Sequence, residues 1–111
     1  ATTAEQAGPT PDAELVAGWL RGDEASAAAL VARHADAVAR YVVALGVKRD
    51  VEDVVQETFV RAFAAFETFR GESALRTWLF TIARRLVLDR ARAERRRGEA
   101  REVDEADVMT A

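Results

Sequence analysis

Asp53 and Glu57 stand four residues apart, with Gln56 between them and Val60 one turn further on. On a helix this i, i+3, i+4, i+7 spacing puts all four on one face. Two carboxylates and an amide around an apolar side chain suit a basic or mixed helix of a partner. Paired carboxylates also serve as general acid and base or as ligands of a hard metal. No histidine lies near them in sequence and no glycine-rich phosphate loop accompanies them, which argues against both roles. An ordinary solvated helix face is the other alternative. A second group follows. Thr77, Phe80, Thr81, Arg84, Leu88, Arg92 and Arg95 share a helical face bordered by Arg85. Guanidinium groups interleaved with hydroxyls and apolar side chains fit a nucleic-acid backbone with some base contact. Alternatively, Phe80 and Leu88 pack on a neighbouring helix while the arginines stay in water. Arg95, Arg96 and Arg97 are consecutive and point in different directions, which suits a phosphate-attracting helix end better than a base reader.

Four helices must position these groups. Thr10 and Pro11 read as an N-cap and first helical position. The short helix that follows carries Leu15, Val16, Trp19 and Leu20 and stops at Gly22. Asp23 caps a second helix running to about Leu45, with Leu30, Val31, Val38, Tyr41, Val42 and Leu45 at three- and four-residue steps. Gly46 suits its C′ position. Asp50 opens the third helix, with Asp53 in a variant capping box. Its apolar stripe is Val54, Val55, Phe59, Ala62, Phe63 and Phe66. Residues 67–73 form a loop. Ser73 caps a fourth helix with the stripe Leu75, Trp78, Leu79, Ile82 and Leu86, ending at Gly98. Trp78 stacks on a base or belongs to the core, and its place in that stripe favours the core. His34 reads as a hydrogen-bonded structural residue, and Asp89 as an intrahelical partner of Arg85 and Arg92. No segment alternates with period two. The expected fold is all-α, a compact bundle of four helices over residues 11–97, with a disordered lead at 1–10 and an acidic tail at 98–111.

The chain has 111 residues, room for one small domain. It lacks cysteine, which removes a disulfide scaffold, a Cys-ligated zinc and a thiol nucleophile. His34 is the single histidine, so a multi-His metal site is excluded as well. No nucleophile–base pair stands out, and neither an enzymatic role nor a cofactor is expected. No apolar run reaches the length of a membrane span and no secretory signal is visible, so a cytoplasmic location without membrane contact is expected. The net charge of −3 conceals an asymmetry. Residues 1–69 carry 6 basic and 11 acidic side chains, residues 70–101 carry 10 basic and 4 acidic, and residues 102–111 carry 4 acids. A basic block inside an acidic protein points to a polyanion, or to a solvated arginine-rich helix end beneath an acidic tail.

The segment DVEDVVQETFVRAFAAF (50–66) resembles region 2.2 of the sigma factors of bacterial RNA polymerase. FRGESALRTWLFTIARRLVLDRARAERRR (69–97) resembles regions 2.3 and 2.4 of their extracytoplasmic-function (ECF) group, and 14–45 resembles region 2.1. The E-D-x-V-Q-E-T-F and W-L-x-x-I-A-R blocks, about 20 residues apart, carry the resemblance over roughly residues 12–97. It implies a domain that binds the clamp helices of the polymerase β′ subunit and captures the non-template strand of the promoter −10 element. Carried over by resemblance, the polymerase-binding positions are Asp53, Gln56 and Glu57, with Val60 and Arg61 beside them. The DNA-binding positions are Arg70, Gly71, Glu72, Ser73, Arg76, Thr77, Phe80, Thr81 and Arg84, with Arg85, Arg92 and Arg95 nearer the phosphates. Where the family usually has Asn after I-A-R, this chain has Arg85, which bears on its sequence preference. The resemblance also implies a second domain, region 4, so the chain is expected to be an isolated region 2 fragment. The alternative is a sigma-like interaction module held by an anti-sigma regulator.

Overall fold

A computed structural model describes residues 9–110, with side-chain detail over 9–102. Among the described residues there are four α-helices and one 3-10 turn and no strand: α1 (Asp12–Leu20), α2 (Glu24–Ala44), α3 (Val51–Ala65), the turn Phe66–Thr68, and α4 (Leu75–Thr110). The expected all-α bundle is what forms. Most of the lead expected at 1–10 lies outside the described residues.

Two glycines make the first two helix ends. Gly22 has φ 89°, and it donates to Trp19 O while Asp23 N donates to Gly18 O. Gly46 has φ 101°, and Gly46 and Val47 donate to Val43 O and Val42 O in the same pattern. A left-handed residue thus turns the chain out of the helix while satisfying its last carbonyls. Asp23 caps α2 by accepting from Ala25 N, and Ser26 Oγ donates to its second oxygen.

Three expected caps differ. Pro11, not Thr10, is the N-cap of α1; its ψ of 148° is extended, and its carbonyl accepts from Glu14 and Leu15. Asp50 sits in the left-handed region, φ 61° and ψ 32°, and caps nothing. Side-chain capping needs an extended N-cap residue, so no capping box with Asp53 forms. Ser73 Oγ bonds the Ala74 carbonyl instead of a helix N–H, and α4 starts at Leu75. The far end of α4 also differs, for the helix passes through Gly98. A lone glycine costs about 1 kcal/mol against alanine in a helix. The Ala, Arg and Glu around it are strong helix formers, and Glu94 is paired with both Arg97 and Arg101.

The core collects Leu15 and Val16 from α1, Leu30, Val38 and Val42 from α2, Val54, Phe59 and Ala62 from α3, Phe66 from the turn, and Leu75, Leu79, Ala83 and Leu86 from α4. Each large side chain among them contributes roughly 1.5–3 kcal/mol of burial. Leu20 and Leu45, assigned to the apolar stripes, are exposed instead because both fall at helix ends that turn away from the core. Thr58, absent from the expected stripe, is fully buried, with its hydroxyl donating to Val54 O at 2.7 Å. α1 lies against α2 and the 3-10 turn, and α2, α3 and α4 each pack directly on the other two. An aromatic chain ties these elements together. Trp19 meets Phe63, Phe63 meets Phe66, Phe66 meets Trp78, and Trp78 meets Phe69, all with ring centroids 5.0–5.4 Å apart. Trp19 Nε1 also donates to Phe63 O at 3.3 Å. Trp78 is half-buried, packed against the core through Phe66, and its ring also reaches the loop before α4. No helix among the described residues is long and apolar enough to cross a membrane.

Candidate nucleic-acid and protein interfaces

Burial of Val54, Phe59 and Ala62 fixes the rotation of α3 and turns Asp53, Gln56, Glu57, Val60 and Arg61 outward. Val60 is 54% exposed, an apolar side chain among polar ones. Arg61 Nε lies 3.5 Å from Glu57 Oε1, and its Nη1 lies 4.0 Å from Asp89 on α4. Beside this face runs an apolar groove of about 520 Å³ between α2 and α3. Val31, Ala35, Val55, Phe59, Val60 and Phe63 line it, with Asp36, Glu52 and Gln56 among its polar members. Sequence reasoning missed the α2 side of this groove. The repeat of Val31, Ala35 and Ala39 at four-residue steps was the available signal.

The loop between the 3-10 turn and α4 forms a small cavity of about 180 Å³. Thr68, Phe69, Arg70, Glu72, Ser73 and Trp78 line it. Three expected residues, Arg70, Glu72 and Ser73, come together here. Thr68, Phe69 and Trp78 were not assigned to the site. Gly71 has φ 73°, a conformation in which a side chain is strained. Thr68 Oγ1 donates to Ala65 O at 2.6 Å and closes the turn beneath the loop. The cavity thus offers two aromatic surfaces and a mixed polar rim.

Along α4, Thr81, Arg84, Arg85, Leu88, Asp89 and Arg92 form a groove of about 420 Å³ with Tyr41 of α2. Asp89 is paired with Arg92 at 3.8 Å and with Arg61 at 4.0 Å; Arg85, its other expected partner, is not among its ion pairs. Three guanidinium groups against one carboxylate leave this groove cationic. Thr77 is exposed and its carbonyl accepts from Thr81 Oγ1 at 3.1 Å. Arg95 is exposed one turn beyond the groove.

Two assigned residues are engaged by α2. Phe80 is half-buried and stacks on Tyr41, with centroids 4.3 Å apart and an interplanar angle of 2°. The packing alternative for Phe80 is what forms, because Tyr41 projects from α2 onto the same side of α4. Arg76 turns toward α2, donating from Nε to His34 Nδ1 at 3.2 Å and from Nη2 to Arg33 O at 3.3 Å. His34 is buried, and its Nε2 lies 3.0 Å from both oxygens of Asp12. It is a hydrogen-bonded structural residue, as expected. Burial raises the Asp12 pKa, but the hydrogen bonds from His34 and Arg33, with the positive charge beside them, outweigh it and hold the carboxyl below its ordinary range.

A family model described as Sigma-70 region 2 matches residues 30–97. The chain is 42% identical over 72 residues to the ECF RNA polymerase sigma-E factor of Haemophilus influenzae, covering 65% of this chain and 38% of that protein. It is 39% identical over 93 residues to the ECF RNA polymerase sigma-E factor of Escherichia coli strain K12, covering 84% of this chain and 49% of that protein. The chain therefore spans half or less of the length of these curated relatives. Among solved structures it is similar to the NMR structure of an engineered region 2 of sigmaE in complex with GTAAAA. The TM-score is 0.73 at 31% identity, covering 86% of this chain and 97% of that one.

Proposed function

The chain belongs to the sigma-70 region 2 family, in its extracytoplasmic-function group, and from that premise we propose that it is a promoter-recognition module with two working surfaces. The loop and the exposed side of α4 capture the non-template strand of the −10 element. The outward face of α3 binds the β′ clamp helices of RNA polymerase.

The observation that carries the first assignment is the small cavity under the loop. An extruded base needs a π surface and hydrogen-bond partners in a confined space. Phe69 and Trp78 supply the first, and Arg70, Glu72 and Ser73 supply the second. The cationic groove of Arg84, Arg85 and Arg92 then attracts the adjoining phosphates. The solved relative bound to GTAAAA supports the same reading. For the second assignment, the carboxylates Asp53 and Glu57 around exposed Val60 fit a basic amphipathic helix, and the apolar groove beside them offers it burial. A regulator of the anti-sigma type would use that same groove. Promoter opening by the full-length protein separates the two readings, because a domain devoted only to holding a regulator would not support it.

Fluorescence anisotropy of labelled single-stranded GTAAAA, with a duplex and a scrambled strand as controls, tests the DNA surface. Selective binding to the single strand is expected, with log affinity falling by about 0.7 per phosphate neutralised as log salt rises. Equal affinity for the scrambled strand would contradict a base-reading cavity.

A further inference from the structure

His34 joins the start of α4 to α1, and the chemistry of its two nitrogens is fixed by their partners. An arginine N–H only donates, so Nδ1 facing Arg76 Nε must be the acceptor. The ring proton of the neutral imidazole then sits on Nε2, directed at the Asp12 carboxylate. Arg76 spends its Nε and Nη2 edge on His34 and the Arg33 carbonyl. Its Nη1 has no hydrogen-bond partner among the described residues. Arg76 lies in the first turn of α4, next to the loop that lines the small cavity.

We propose that His34 is a positioning residue for single-strand capture. By accepting from Arg76 while donating to Asp12, it orients the Arg76 guanidinium so that its Nη1 edge serves a DNA phosphate. This rests on the reading of the loop and α4 as the DNA surface. Protonation puts a second N–H on the ring, and Nδ1 can no longer accept from Arg76. The charged groups around the ring are Asp12 from α1, Arg33 from α2 and Arg76 from α4. No charged side chain of α3 is hydrogen-bonded to the ring among the described residues. Acidification therefore releases Arg76 and weakens capture. His34 is the chain's one histidine, so a comparison between about pH 8 and about pH 5.5 spans the general imidazole range with no second histidine to confuse it.

The test measures affinity of the 111-residue chain for single-stranded GTAAAA at both pH values and constant ionic strength, for wild type, His34→Gln and Arg76→Ala. Wild type should lose about five-fold affinity on acidification, the scale of one hydrogen bond. The glutamine amide offers an acceptor and a donor that do not titrate. His34→Gln should bind within about two-fold of wild type at pH 8 and keep that affinity at pH 5.5. Arg76→Ala should bind more weakly and show no acid loss. Nitrogen-15 spectra of the imidazole at pH 8 should show Nδ1 unprotonated and Nε2 protonated, a result that needs no variant. A flat wild-type profile, a His34→Gln or Arg76→Ala profile parallel to wild type, or a proton on Nδ1 would overturn the proposal. Wild-type indifference between GTAAAA and a scrambled strand would instead contradict the function assigned to the loop, while the spectra still decide the His34 geometry.

Discussion

Asp12 shows how much one side chain holds together. Its carboxylate accepts from Arg33 Nη1 at 2.8 Å and from His34 Nε2 at 3.0 Å, and so fastens α1 to α2. Its native pKa lies below the ordinary value, so its contribution to stability is complete above the unfolded value of about 3.9 and is lost as the pH falls through the native value. Asp12→Asn should therefore destabilise the protein by about 1–3 kcal/mol near neutral pH. In urea unfolding at a series of pH values, the gap from wild type should close below about pH 4. A gap independent of pH would place the contribution in packing. At this scale the sequence was only partly legible. It marked His34 as hydrogen-bonded and structural, but Asp12 and Arg76 lie 22 and 42 residues from it, and no local pattern announces such a meeting. Phe80 stayed open between an external partner and a neighbouring helix for the same reason, since its partner Tyr41 belongs to another helix.

At the scale of elements, the apolar periodicity was a reliable guide and the caps were not. The stripes of α2, α3 and α4 give the core because burial enforces them over several successive turns of each helix. Caps depend on the φ and ψ of single residues, and Asp50 in the left-handed region shows how a suitable residue type fails to cap. The end of α4 was misplaced because Gly98 was read as a stop, although strong helix formers lie on both sides. An added Cβ at Gly98 meets nothing within 4 Å. Gly98→Ala should thus favour the helix by about 0.8–1 kcal/mol and slow amide exchange around it about four-fold. Unchanged exchange would mean that the helix is not continuous there in solution. Gly71 is the opposite case, since its φ of 73° is costly for any side chain even though space is open. Gly71→Ala should cost about 1–2 kcal/mol in the native loop, or make the loop rearrange. Reduced affinity for single-stranded GTAAAA is the expected result, with Tm lowered by several degrees if the loop keeps its conformation and little changed if it rearranges. Full affinity would show that the loop conformation is not required for capture.

At the scale of the whole molecule, the core holds two chemically different surfaces in fixed relation. Sequence alone separated them, because charge and helical phase are local properties: an acidic, apolar-centred face on α3 and an arginine-rich face on α4. The cavity under the loop and the groove between α2 and α3 were not legible, since each is built by segments that meet only on folding. Arg61 lies between Glu57 and Asp89 and so touches both surfaces. The central claim is nevertheless that they work independently. One measurement tests it most directly: binding of Asp53→Arg and of the double variant Arg70→Ala, Ser73→Ala to polymerase core and to single-stranded GTAAAA, side by side. Asp53→Arg should lose polymerase binding by at least about ten-fold and keep its affinity for the strand. The double variant should do the reverse, with unfolding midpoints unchanged in both. Loss of both activities from either folded variant, or loss of neither, would contradict the account.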